Sequence, residues 1–141
     1  YELKGILEGK AGALALPHMK EADIKKMDTI NENLKASFKS KDYVKALKIH
    51  NQFHAVFQKK CPNNILGETL EQLNTKFQKF RIALSLVGDI NAIVSQHDEI
   101  IAAFKQKDLA WIERSIYENA VYGSDRLIQH IEEEKERTKR S

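Results

Sequence analysis

Apolar residues recur along most of the chain at the three- and four-residue spacing of an amphipathic helix, and no stretch alternates as a β-strand does. Breaks at small, polar or Pro-containing stretches divide this pattern into six segments. The sequence therefore predicts an all-α antiparallel bundle of about six helices with short connections. The predicted helices cover residues 1–16, 20–40, 42–60, 64–86, 89–107 and 109–136.

Each predicted helix has an apolar stripe that we expect to face the core. In the first helix this stripe consists of Leu3, Leu7 and Leu14. Pro62 ends the third helix because its ring cannot continue the helical hydrogen bonds. The next three helices each begin at a residue whose side chain can accept hydrogen bonds from the free N–H groups of the first turn. These residues are the Asn pair after Pro62, Asp89 and Asp108.

Composition limits the class of protein. A chain of 141 residues is expected to form one domain over residues 1–141, and its 6 Gly and 2 Pro are too few for a sandwich or barrel. The single Cys excludes an intramolecular disulfide and fits a reducing, cytoplasmic setting. No apolar stretch approaches the ~18 residues of a membrane span, so we expect no membrane partner. The 23 basic and 20 acidic residues are well mixed, which argues against nucleic-acid binding by this segment.

Four polar residues occupy positions where the stripes require apolar ones. His50 and His54 lie four residues apart on the third helix, so both imidazoles can reach one metal ion. His97 interrupts the stripe of the fifth helix, and Asn119 interrupts that of the sixth. Because each buried polar group costs roughly 1–3 kcal/mol unless it is paired, four of them require an explanation. A metal site and a buried polar network or ligand pocket remain open alternatives, and His18 and His130 fall outside this set.

The sequence lacks the motifs of several common classes of catalytic site. The His-Glu-x-x-His pattern of zinc proteases and the Glu-x-x-His pair of di-iron bundles are both missing, and the Gly residues form no phosphate loop. Cys61 has no candidate base nearby in the sequence. We therefore expect a protein that is not an enzyme.

Four stretches, in this order, resemble the FCD domain, the C-terminal effector-binding domain of GntR-family transcriptional regulators. Residues 2–9 resemble its opening helix, and residues 50–54 resemble its Asp-x-x-Phe-His motif with His50 in place of the Asp. Residues 63–66 match the Asn-containing cap of the next helix. Residues 97–108 resemble the segment that begins with His and ends with Gly-Asp, with Lys107 in place of the Gly.

The resemblance implies a helical bundle that forms a homodimer and senses a small metabolite, commonly a carboxylic acid. Many members hold a divalent metal through one Asp and three His. His54 and His97 fall on two of these histidines, whereas His50 stands where the Asp is expected and Asn119 where the last His is expected. This donor set can still bind zinc or nickel, because imidazole suits both metals.

An acidic effector requires a cationic partner, for which Arg81 is the first candidate and Lys4 the second. DNA would be read by an N-terminal winged helix-turn-helix domain, and because Tyr1 already lies inside a predicted helix we expect that such a domain precedes this chain. Two other functions stay open: a metal-dependent helical enzyme that uses His50, His54 and His97 as ligands, and a helical interaction module whose histidines are structural.

Overall fold

A computed structural model describes residues 1–78 and 88–141 of the chain. This part of the chain is built from α-helices and contains no strand, which confirms the predicted all-α bundle. None of its helices is long and apolar enough to cross a bilayer. The helices are α1 (Glu2–Ala15), which a 3-10 turn (Leu16–His18) follows, α2 (Glu21–Lys39), α3 (Tyr43–Gln58), α4 (Asn64–Lys76), α5 (Ile90–Gln106) and α6 (Leu109–Arg140).

Side-chain caps define where several of these helices begin. The carboxylates of Asp89 and Asp108 accept hydrogen bonds from backbone N–H groups in the first turns of α5 and α6. Asn63 caps α4 in the same way, at 3.0 Å from the Leu66 nitrogen. α4 ends at Lys76. Its predicted end was residue 86, and residues 79–86 of that prediction lie outside the described residues. α6 continues four residues beyond its predicted end at residue 136.

The main core lies between α2, α3, α5 and α6. Phe53 and Phe57 of α3 meet Phe104 of α5 and Ile116 of α6 there, and all four side chains are fully buried. α2 packs against α3 and α5, while α5 packs against α6. The inward stripes predicted for α3, α5 and α6 therefore face the core, together with the polar residues that interrupt them.

α1 packs against α6 with a face of small residues, not with its leucines. A Cβ added to Gly9 would lie 2.8 Å from the Glu113 backbone oxygen, and one added to Gly5 would lie 2.9 Å from the Tyr117 ring. Leu3, which we predicted to be inward, is 57% exposed. The prediction was wrong because side chains as large as leucine do not fit where the two backbones come this close.

Leu7 and Leu14 are partly buried on another side of α1. They pack beside Ala11, which forms a small second core with Leu66 and Leu70 of α4. α1 therefore uses its small residues against α6 and its leucines against α4.

The Gly9→Ala substitution should destabilise the protein by about 1–3 kcal/mol, because the added methyl group meets a backbone atom that moves only with its helix. Gly67→Ala is the matched control. No described atom lies within 4 Å of a Cβ at this helical position, so the substitution should stabilise by about 0.5–1 kcal/mol. Urea unfolding of both variants measures the difference. Equal effects would contradict the close packing of α1 on α6.

Candidate functional site

Three histidines meet inside the bundle. His50 and His54 lie one turn apart on α3, and His97 of α5 faces them. One possible ligand atom from each ring lies within 4.8 Å of the other two. His97 is fully buried and His54 is 5% exposed, whereas His50 is half-buried. We refer to these residues as the histidine cluster.

The His97 ring is held on two sides. The Phe53 ring stacks on it almost in parallel, with 3.8 Å between the ring centroids. Its Nδ1 atom lies 3.1 Å from the Asn31 side-chain oxygen of α2. Its Nε2 atom is buried and has no hydrogen-bond partner among the described residues. One nitrogen of this ring is therefore held by the protein, and the other is left to a ligand.

The electrostatics of the cluster favour a neutral His97. Burial lowers the pKa of His97 well below its ordinary range, and the charge that His54 would carry lowers it further. Glu8 acts in the opposite direction but does not outweigh these two effects. A neutral imidazole has a lone pair to donate, which is the form that a metal ion requires.

Glu8 of α1 is the carboxylate closest to the cluster. Its side chain is 2% exposed, and its Oε1 atom lies 2.9 Å from His54 Nδ1. The same oxygen accepts a hydrogen bond from the Gln58 side-chain amide. The contact with His54 is close, but it lacks the alignment of a ring N–H hydrogen bond, so both His54 nitrogens lack an aligned partner. Glu8 thus contributes negative charge beside the histidines.

Asn119 of α6 lies at the same site. Its side chain is 7% exposed and lines one cavity together with His50 and His54. Its amide nitrogen donates to the Gln96 side-chain oxygen at 2.7 Å. This hydrogen bond leaves the Asn119 oxygen as the atom that it can offer to a ligand.

The cavity has a volume of about 90 Å³ and two kinds of lining. Its apolar wall includes Leu34, Phe38 and Ile93, and its polar wall contains the two α3 histidines and Glu8. Lys4 of α1 and Arg126 of α6 add basic groups. A lining of this kind suits a small molecule that has both an anionic and an apolar part.

The structure describes only one of the two residues that were predicted to bind an effector. Arg81 lies outside the described residues. Lys4 lines the cavity and is 7% exposed, with its Nζ atom 5.9 Å from the centre of the Tyr1 ring.

The sequence pattern did not single out Glu8, Asn31 or Arg126. Arg126 follows Asn119 by seven residues, so a continued stripe on α6 could have identified it. Glu8 follows Lys4 by four residues on a face made otherwise of Gly and Ala, which is a weaker signal.

Asn31 falls between Met27 and Leu34 on the apolar stripe of α2, so the interruption of that stripe could have identified it as buried. Its partner His97 could not be identified in this way, because only the packing of α2 on α5 brings the two together.

The donor set fits a divalent metal. Three imidazoles from two helices can bind one ion, and the buried, unpartnered Nε2 of His97 is the kind of atom that a ligand satisfies. Zinc and nickel both accept imidazole ligands. Asn119 would supply a neutral oxygen in place of a fourth nitrogen.

The chain was compared with family models and with curated proteins. A family model described as the FCD domain matches residues 1–119, which is most of the chain and includes all four of His50, His54, His97 and Asn119. A comparison with curated proteins finds no match.

Lowering the pH below about 6.5 should destabilise the metal-free protein. In this range His97 becomes protonated in the unfolded chain, whereas in the folded chain its lowered pKa keeps it neutral. The stability is present above the unfolded pKa and is lost as the pH falls, by at most about 1.4 kcal/mol per pH unit for this one proton. Urea unfolding at pH 7 and pH 5 with a chelator measures it. The His97→Gln variant should show a smaller loss, and an equal loss would contradict the burial of a neutral His97.

Proposed function

The chain belongs to the FCD domain family, the C-terminal effector-binding domain of GntR-family regulators, and on this premise we propose that its cavity binds a small organic acid beside a divalent metal ion. The observation that carries the proposal is the histidine cluster, two of whose members, His50 and His54, line a cavity that basic residues also line. FCD domains are regulatory, and we propose no catalysis for this chain.

His50, His54 and His97 would hold the ion, with the Asn119 oxygen as a further ligand. When bound, the ion would supply positive charge and a coordination position for a carboxylate oxygen. All four protein ligands are neutral in this arrangement, so none of the ion's charge is cancelled by a direct ligand. This favours an anionic effector more strongly than a set containing an Asp would.

The other residues that line the cavity favour binding of a small carboxylic acid. Arg126 can pair with a carboxylate through its planar guanidinium group, and Lys4 adds a second positive charge. The opposite wall, which includes Leu34 and Phe38, would receive the apolar part of the molecule. The effector class that this lining favours is therefore a small carboxylic acid with a short apolar portion.

The regulatory output would follow the family arrangement. Two copies of the domain would pair as a homodimer in the cytoplasm, each attached to an N-terminal DNA-reading domain. Effector binding would favour one arrangement of the bundle over another and so change the spacing of the two readers on DNA. The organic acid would thus control DNA binding without touching the DNA.

The His54→Ala variant should lose binding of zinc and nickel while staying folded, because it removes one of the clustered imidazoles. His18→Ala is the matched control, since His18 is exposed and lies outside the cluster. Calorimetry with each metal and circular dichroism measure binding and folding. Wild-type protein that binds neither metal would support the structural-histidine alternative, and unchanged binding in His54→Ala would place the metal elsewhere.

A small carboxylic acid should raise the melting temperature more in the presence of zinc or nickel than with chelator. A ligand at 100 times its Kd stabilises by about 2.7 kcal/mol, which corresponds to several degrees for a domain of this size. A thermal-shift panel of acids with and without apolar chains identifies the class.

Arg126→Gln should lower the affinity for the acid that gives the largest thermal shift by about tenfold or more, and it should leave the affinity for metal unchanged. Arg114→Gln, at an exposed position on the same helix, is the control and should have no effect. An acid that binds Arg126→Gln as tightly as wild type would contradict the assignment of the cavity.

A further inference from the structure

Asn31 is a buried amide that makes three polar contacts with one neighbouring helix. Its side chain is 3% exposed and lies on α2, where it faces α5. The amide nitrogen donates to the Val94 backbone oxygen at 3.1 Å and to the Asp98 carboxylate at 2.9 Å. The amide oxygen lies 3.1 Å from His97 Nδ1.

These contacts allow one orientation of the amide. Val94 O and the Asp98 carboxylate are both acceptors, so the NH₂ group must point toward them. The reversed amide would place its oxygen against two other oxygens and leave all three without a proton to share. The oxygen of Asn31 must therefore face His97.

The orientation of Asn31 decides the tautomer of His97. An amide oxygen only accepts, so the hydrogen bond requires a proton on His97 Nδ1. In the neutral ring, the Nε2 atom then has the lone pair. Phe53 fixes the plane of the ring from one side, and Asn31 fixes which of its two nitrogens is protonated.

We propose that Asn31 is a positioning residue that holds His97 in the Nδ1-protonated tautomer, so that its Nε2 lone pair is presented to the histidine cluster. The role of this tautomer in metal binding rests on the function proposed above, whereas the tautomer itself does not. The buried Nε2 atom has no protein partner within the described residues, which argues that the arrangement serves a ligand and not packing alone.

The tautomer can be measured in chelator-treated protein without any metal. Proton–nitrogen correlation spectra of the imidazole rings distinguish a protonated from an unprotonated nitrogen, and the His97 signals are assigned by their loss in His97→Gln. We expect wild-type His97 to have its proton on Nδ1. A proton on Nε2 would overturn the inference, whatever the result for metal.

Three variants test the role of Asn31. Asn31→Leu removes the acceptor and should allow the Nε2-protonated form, with zinc or nickel affinity lowered by about 10–100-fold. Asn31→Asp keeps an acceptor for Nδ1–H and should keep the proton on Nδ1, but it should lower stability because its second oxygen faces Val94 O and the Asp98 carboxylate. Asn33→Leu makes the same change at an exposed site on α2 and should behave as wild type.

The combined results separate the two claims. If Asn31→Leu keeps the proton on Nδ1, Asn31 does not set the tautomer and the inference fails. If wild type has the expected tautomer but binds neither metal, the proposed metal site fails while the tautomer assignment stands. If Asn31→Leu does not fold, the spectra of wild type and of Asn31→Asp still decide the inference: an unprotonated Nδ1 in either would overturn it.

Discussion

The close approach of α1 to α6 determines how the candidate site is formed. Gly9 lets α1 approach the α6 backbone at Glu113, while Gly5 and Gly12 make room for the α6 side chains of Tyr117 and Ile116. Lys4 and Glu8, the residues that immediately precede Gly5 and Gly9, line the cavity. The packing of one helix pair thus places a base and an acid beside the histidines.

The polar groups of the interior are arranged in two layers. The inner layer is the histidine cluster on α3 and α5, and the outer layer is Glu8 on α1 and Asn31 on α2. Buried polar groups are costly when unpaired, and here each outer residue contacts one histidine and at least one further partner. With Asn119 of α6 as a proposed ligand, the site depends on the relative positions of five helices, and two of these, α1 and α2, supply no proposed ligand.

Periodicity was sufficient to predict the inner layer, whereas the contacts between the two layers depend on how the helices pack. The stripes of α3, α5 and α6 place His50, His97 and Asn119 inward because large apolar neighbours fix the buried face of each helix. The same reasoning failed for Leu3, since a helix that packs through glycine has no large residues to mark its buried face. The spacing of Met27, Asn31 and Leu34 marks Asn31 as an inward residue of α2. Its hydrogen bond to His97, 66 residues away, depends on how two helices pack and leaves no pattern in the sequence.

The three histidines differ in burial, and this difference affects how fast a bound metal ion could be released. His97 has no exposed surface, while His50 is half-buried and lines the cavity. An ion bound to all three rings as proposed would leave only as fast as the surrounding helices separate, because three bonds must break inside a packed core. Such a domain would respond slowly to changes in the supply of metal.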